Sequence, residues 1–249
     1  MASYYQVGGD VEDGWNGPSK RTLDPSYEFA EQQVRLGFVR KVFGLLTCQL
    51  AVTVGVTAAF MFNPPVKDYV LSNPWALWTP VVLSLLLVLF MAFSESARRT
   101  HPWNLLLLGA FTLCESIMIA TISATIDTHT VMLAAGITAA VVLSLTLFTF
   151  QTKIDFTVGS GMLFSLFMVL LGASIGQMFL HLPGLQLAIS AGGAMLFSMY
   201  LVFDIQMLMG GNKYAISPDE HVFAALNLYL DILNIFLYIL QILNQMNRQ

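Results

Sequence analysis

Seven long apolar runs dominate this 249-residue sequence, and they restrict its fold more than any other feature. A bilayer core about 30 Å thick needs roughly 20 mostly apolar residues for one helical crossing. Only 10% of the residues are charged, whereas about 25% is usual for a soluble domain, so the composition favours lipid as the solvent. The predicted spans are 42–62, 76–94, 103–126, 131–150, 157–180, 185–209 and 222–244.

These spans are predicted to be helices and not strands. Transmembrane strands alternate in polarity over about ten residues, whereas these runs are longer and apolar on every side. The predicted fold class is therefore an all-α integral membrane protein, with a seven-helix bundle at residues 35–249. Residues 1–34 are polar and contain several glycines and prolines, so they are predicted to be a disordered cytosolic tail and not a cleavable signal peptide.

Basic residues set the predicted orientation, because short cytosolic loops carry an excess of Lys and Arg. With a cytosolic N-terminus, nine basic residues lie on the cytosolic side, and only Lys67 and Arg248 lie opposite. The nine are Lys20, Arg21, Arg35, Arg40, Lys41, Arg98, Arg99, Lys153 and Lys213. An odd number of crossings places the C-terminus on the other side of the membrane, unless the last span re-enters instead of crossing.

Three ionisable residues fall inside the predicted spans, and all three are acidic: Glu115, Asp204 and Asp231. A charged carboxylate at the bilayer centre costs several kcal/mol, so it persists only with a partner, a proton or water. One interpretation is a site for protons or metal cations. The other is a protonated carboxyl that only hydrogen-bonds two helices together.

Asp204 and Asp231 are predicted to lie at similar depth. Asp204 is about five residues, or roughly 8 Å, from the end of the sixth span, and Asp231 is about nine residues, or roughly 14 Å, into the seventh. Two close carboxyls tend to hold one proton between them. A protonated pair would be a hydrogen-bonded latch, and a deprotonated pair would repel or bind a cation such as calcium, which prefers oxygen ligands.

The last span also carries a polar stripe at spacings of three and four residues, which places its members on one helix face. They are Asn227, Asp231, Asn234, Tyr238, Gln241 and Gln245. Such a face belongs in the bundle interior, either along a water-lined path or in a packed polar seam. Asn227, Asn234 and Tyr238, together with Glu115, are candidates to support a path through the aspartate pair.

Other kinds of site have weaker support. Arg98 and Arg99 follow the second span and are candidate counter-ions that latch the aspartates, or ordinary cytosolic anchors. The four histidines fall in predicted loops and form no helical metal motif. Cys48 and Cys114 give no disulfide framework. We expect no catalytic residues, no resident cofactor and, with a net charge of −4 and no basic block, no nucleic-acid partner.

Four motifs resemble the Bax inhibitor family, and its Lifeguard branch in particular. They agree in order and spacing over roughly residues 35–245. The combination of a Phe-Asp pair, a Gly-Gly pair and LYLDI is the most specific part. The matching segments are ARRTHPWN at 97–104, FTLCES at 111–116, VFDIQ at 202–206 with MGG at 209–211, and ALNLYLDILN at 225–234.

This resemblance implies a function. Members of the family look like pH-sensitive calcium leak channels of the endoplasmic reticulum or Golgi, which lower stored calcium and restrain cell death. The resemblance implies that the last helix is surrounded by the other six, and that Asp204 and Asp231 form the pH sensor and calcium site. It also implies a basic latch on the second helix, although Arg98 and Arg99, the nearest candidates, fall at the end of that helix.

Three other classes of function stay open at this point. A non-conducting membrane scaffold that binds cell-death regulators or calcium-release channels would share the fold. An intramembrane aspartyl protease also places aspartates on consecutive helices, but Tyr229-Leu230-Asp231 lacks the Gly-x-Gly-Asp of that family and no Pro-Ala-Leu follows. A seven-helix receptor is disfavoured by the cytosolic N-terminus and by the absence of lysine from the last span.

Overall fold

The structure, a computed structural model, describes residues 25–210 and 215–247, apart from the side chains of residues 25–31 and Pro183. These residues form helices and turns, without a strand among them. The helices are α1 (Pro25–Phe62), α2 (Pro64–Ser72), α3 (Trp75–Phe93), α4 (Glu95–Arg99), α5 (Trp103–Ala124), α6 (Thr128–Gln151), α7 (Ser160–Leu180), α8 (Pro183–Met209) and α9 (His221–Met246).

Seven of these helices, α1, α3 and α5 to α9, are long and apolar enough to cross a membrane, as the hydropathy predicted. Large apolar side chains cover their outer surface; Phe93 is 86% exposed and Phe179 is 80% exposed. In water such a surface would drive aggregation, whereas in lipid it is the expected exterior. The fold class, an all-α integral membrane protein, is thus confirmed.

Helix α1 begins at Pro25, ten residues before the predicted domain boundary at residue 35. Residues 25–34 are already helical, because Pro25 fits the first turn of a helix and no Gly or Pro follows before Gly37. Residues 1–24 of the predicted tail lie outside the described residues. The sequence interpretation also missed α2, a nine-residue helix between the first two spans that begins with Pro64 and Pro65.

Short polar caps separate the spans. The Asp127 side chain accepts hydrogen bonds from the backbone N–H groups of His129 and Thr130 and so begins α6. Ser94 caps the short helix α4 in the same way. At the end of α8, Gly210 adopts φ +71° and ψ −176°, a backbone conformation almost confined to glycine. These ends fix where each crossing stops.

The last helix, α9, is the most buried of the spanning helices, which confirms its central position. It packs directly against α1, α5, α6 and α8. The other two spanning helices are further out, since α3 packs chiefly on α5 and α7 chiefly on α8. The chain crosses back and forth, so α8 and α9 are antiparallel. We call the end where α1 begins the entry end, and the end where α9 finishes the exit end.

Candidate functional site

Asp204 of α8 and Asp231 of α9 face each other inside the bundle. Their side chains share a hydrogen bond, and the two residues are only 8% and 6% exposed. A hydrogen bond between two carboxyl groups requires a proton on one of them. No basic side chain forms an ion pair with either aspartate within residues 25–210 and 215–247. Among the described residues none supplies a cationic partner, so a hydrogen bond within the pair needs a proton on one of the two carboxyls.

Two further features mark this pair as a chemical site. The Oδ2 atom of Asp231 is buried and accepts no hydrogen bond from an N–H or hydroxyl donor among the described residues, although buried polar atoms are normally satisfied. Tyr200, one turn before Asp204 on α8, interacts electrostatically with both carboxyls. The arrangement leaves an acceptor oxygen available for a proton, a water molecule or a cation.

The polar stripe of α9 extends from this pair in both directions, with Asn227 toward the entry end and its other members toward the exit end. Asn234 donates to the carbonyl of Leu230 in its own helix (2.8 Å), and Asn227 is half-buried. The ring of Tyr238 stacks on Phe197 of α8, with 5.9 Å between centroids. Gln241 accepts hydrogen bonds from α8, namely from Gln186 (3.2 Å) and Ser190 (3.0 Å). Much of the stripe is thus a seam against α8, as its spacing predicted for an interior face.

Glu115 lies in a different place. It is buried on α5 and hydrogen-bonds Ser84 of α3. Next to it, a hydroxyl cluster joins α1, α5 and α9: Thr53 contacts Ser116 (3.0 Å) and Tyr229 (2.7 Å). The structure therefore does not bring Glu115 to the aspartate pair.

The sequence interpretation missed this hydroxyl cluster, although its spacing was readable. Gln49 and Thr53 on α1, like Thr112 and Ser116 on α5, are four residues apart in otherwise apolar spans. The Gln49 amide donates to Thr112 (3.0 Å), one turn from the contact between Thr53 and Ser116. Polar residues at this interval in two spans indicate facing helices.

Arg98 and Arg99 reach Glu220 and not the aspartates. Glu220 lies 3.6 Å from Arg98 and 3.1 Å from Arg99, and Arg99 also pairs with Glu95 at 3.7 Å. The hydrogen bond to Glu220 raises the pKa of the Arg99 guanidinium above its ordinary value. Because Glu220 precedes Asp231 by eleven residues, about 16 Å along a helix, the two arginines hold the entry end of α9 and do not latch the pair.

Two more side chains fix the entry end of α8, and sequence reasoning missed both. Gln206, 3% exposed, donates to the carbonyl of Ile154 and accepts from the backbone N–H of Phe156, both at 2.8 Å. Arg35 of α1 donates to the carbonyl of Ile216 at 2.7 Å and lies over Gly210. Asp204 is therefore on a helix whose end is tied to two loops.

The described residues hold no cluster of three or more His, Cys, Asp or Glu side chains that could bind a metal ion. The histidines lie in turns and at helix ends: His101, His129, His181 and His221. Calcium usually takes six to eight oxygen ligands. Two carboxyl groups offer part of such a set, which suits a passing ion with its water better than a tightly held one.

The fold and this site define a class: multi-pass membrane proteins with a buried pair of carboxyl groups between the last two helices. Comparison with known proteins identifies the family. The family described as inhibitor of apoptosis-promoting Bax1 matches residues 35–248, and the chain belongs to it, which confirms the resemblance.

Three of the similar proteins illustrate the names that relatives carry. Protein lifeguard 3 of Homo sapiens is 35% identical over 241 residues, covering 94% of this chain and 77% of that protein. Its Mus musculus counterpart is 36% identical over 219 residues, covering 86% and 71%. The Golgi anti-apoptotic protein of vaccinia virus (strain Lister) is 34% identical over 240 residues, covering 96% and 95%. The name of the vaccinia relative describes an anti-apoptotic protein of the Golgi.

Proposed function

We propose that this protein is a pH-sensitive calcium leak channel of the endoplasmic reticulum or Golgi membrane, which lowers stored calcium and so restrains cell death. The observation that carries the proposal is the buried hydrogen bond between Asp204 and Asp231 without a basic partner among the described residues. The Golgi and anti-apoptotic words in the name of the vaccinia relative support the membrane and the cellular role. The basic residues support a cytosolic N-terminus.

The shared proton is the proposed control element. While one carboxyl is protonated, the hydrogen bond fastens α8 to α9. When the proton is lost, two like charges face each other in a low-dielectric interior and repel strongly. Among the described residues, Tyr200 is a further titratable side chain that interacts electrostatically with both carboxyls. Loss of the proton therefore opens the seam between the helices, and calcium flux should rise as the pH rises.

The open pair is also the proposed cation site. Two carboxylates supply up to four oxygen ligands, and water supplies the rest of the calcium shell. Asp231 Oδ2, which is buried and has no N–H or hydroxyl donor among the described residues, is one of the proposed ligand oxygens. A partial ligand set permits release, which conduction requires. The proposed ligands are thus calcium and protons, in a protein that is otherwise surrounded by membrane lipid.

Reconstituted flux tests this proposal. Purified protein is placed in liposomes that enclose a calcium-sensitive dye, and the initial rate of calcium entry is measured across a series of pH values. We expect Asp231→Asn and Asp204→Asn to flatten the pH profile, because an amide donates a hydrogen bond to the remaining carboxylate at every pH. The matched control is Glu115→Gln, which neutralises a buried carboxyl bonded to Ser84 and should keep the native profile.

Two outcomes would contradict the proposal. A pH profile unchanged in both aspartate variants would remove the pair from the mechanism. Absence of calcium flux in the native protein at every pH would favour the non-conducting scaffold, whose partners would be cell-death regulators or calcium-release channels.

A further inference from the structure

One face of α8 runs from the aspartate pair to the exit end. Gly193, Phe197, Tyr200 and Asp204 are four, three and four residues apart, so they lie along a single helix face. Opposite them on the antiparallel α9, Asp231 meets Asp204, and Tyr238 meets Phe197 and Gly193. Aromatic rings therefore occupy the level between the carboxyl pair and the end of the bundle.

A cleft of about 370 Å³ with both polar and apolar lining, the latter from Met178 and Ile189, opens beyond these rings between α7, α8 and α9. Its polar lining includes Ser174, Gln177, His181, Gln186, Tyr238 and Gln241. Amide and hydroxyl oxygens of this kind are ligands for hard cations and hydrogen-bond acceptors for their water shell. The cleft is unusual in a bundle whose outside is largely apolar.

Tyr238 belongs to both regions, since it lines the cleft and also closes the seam. A Cβ added at Gly193 would lie only 2.5–2.6 Å from three atoms of the Tyr238 ring, so the ring rests directly on the α8 backbone. On its other side the ring stacks on Phe197 at 5.9 Å, and Phe197 in turn packs on Tyr200 at 5.9 Å. Tyr200 lies one turn before Asp204 on the same face of α8.

We propose that the cleft is the exit-end mouth of the ion path, where a hydrated divalent cation binds. We further propose that Tyr238, seated on Gly193 and stacked on Phe197, is the plug between this mouth and the aspartate pair. The inference rests on the proposed function, because it assigns an entrance and a barrier to that channel. A stack of rings at the narrow point excludes water and ions until it moves, as apolar constrictions do in other channels.

The two adjacent glycines of α8 supply a matched pair of variants. Gly193→Ala adds a methyl group that the Tyr238 ring must leave room for, so the plug is displaced. At Gly192 the same methyl group meets only the Leu170 side chain at 3.8 Å, an ordinary contact. Both changes replace glycine by alanine in the same helical turn, so they should alter helix propensity alike. Only the first should affect access to the aspartates.

Thiol accessibility tests the plug without requiring conduction. In the full chain carrying Cys48→Ala and Cys114→Ala, single cysteines are placed at Gln241, in the cleft, and at Asn234, between the plug and Asp231. The proteins are held in lipid nanodiscs and labelled with a small cationic methanethiosulfonate reagent. We expect Gln241→Cys to react fast, and Asn234→Cys to react about tenfold more slowly, a ratio equal to about 1.4 kcal/mol.

Displacing the plug should abolish that difference. Gly193→Ala and Tyr238→Ala should each accelerate labelling at Asn234→Cys toward the rate at Gln241→Cys, whereas Gly192→Ala and Tyr238→Phe should not. Two independent routes to an open plug keep the test valid if one variant fails to fold. Equal labelling at the two positions in the unaltered background, or no acceleration by either variant, would overturn the plug.

Calcium flux then links the plug to the channel. In liposomes, Gly193→Ala should raise the basal calcium flux above that of Gly192→Ala, and the Asp231→Asn effect on pH dependence should persist. If the native protein passes no calcium but the labelling pattern holds, the proposed function fails while the plug stands. If flux is native and the labelling pattern is absent, the plug alone is refuted.

Discussion

Replacing Gln206 distinguishes the residues that stabilise α8 around Asp204 from those that control the pH dependence of calcium flux. The Gln206 amide makes two hydrogen bonds of 2.8 Å to the backbone of the loop before α7. That loop is partly exposed, so water can replace the lost partners, and each hydrogen bond contributes about 1 kcal/mol. Gln206→Ala also removes one buried methylene, about 0.8 kcal/mol. We therefore expect the free energy of unfolding to fall by about 3 kcal/mol.

Equilibrium unfolding in mixed detergent micelles, followed by circular dichroism, measures this change. Gln206→Met is the matched control, because it keeps the length and apolar stem of the side chain but neither hydrogen bond; its loss should be about 2 kcal/mol. Neither variant alters the carboxyl pair, so both should retain the native pH dependence of calcium flux. A Gln206→Ala protein as stable as the native one, or one with a flattened pH profile, would refute this division of roles.

Two further predictions concern the entry end of the bundle. Gly210→Ala should destabilise the protein by about 1–3 kcal/mol, because the φ and ψ angles at this residue suit glycine and the new methyl group would displace Arg35. Gly172→Ala is the control, because the space around Gly172 is open. Equal stability of the two variants in detergent would contradict the reasoning. Glu220→Gln should lower the unfolding temperature at low salt and have a smaller effect at high salt, because it removes the carboxylate that faces two arginines. Glu95→Gln, at a more exposed ion pair, should have less effect at either salt concentration, and a salt-independent loss in Glu220→Gln would show that packing and not charge is responsible.

The membrane spans were predictable because the hydropathy of a segment indicates whether its side chains face water or lipid. A run such as 103–126 has too few polar groups to face water, and lipid requires its backbone to be hydrogen-bonded within the helix. The start of α1 was not predictable in the same way. Residues 25–34 are polar, so hydropathy assigns them to the tail, yet helix propensity and the position of Pro25 continue the helix.

The aspartate pair was predictable from the free-energy cost of a charged carboxylate in lipid, whereas the side chains around the pair were not. An acidic residue in lipid must find a proton or a partner, and two of them at similar depth on consecutive antiparallel helices have each other. The arginines illustrate the limit of that reasoning. Charge attraction alone would pair Arg98 and Arg99 with the aspartates. Glu220 lies at the same end of the bundle as the two arginines and forms ion pairs with both of them. The number of residues between two charged side chains does not show whether they lie at the same depth in the membrane. Here the turn that begins at Pro218 places Glu220 at the level of the two arginines.

The placement of polar groups along α9 connects these observations. A polar stripe that served only to pack helices would need hydrogen bonds along its whole length. The partners of the α9 stripe differ from one residue to the next. Tyr238 stacks on an aromatic ring, Gln241 accepts from an amide and a hydroxyl group, and Asp231 Oδ2 has no N–H or hydroxyl donor among the described residues. Leaving a buried oxygen unsatisfied costs about 1–3 kcal/mol, and closing it off with aromatic rings adds no hydrogen bond to repay that cost. If Tyr238 is the proposed plug, this arrangement exchanges stability of the buried carboxyl pair for access to it from the cleft.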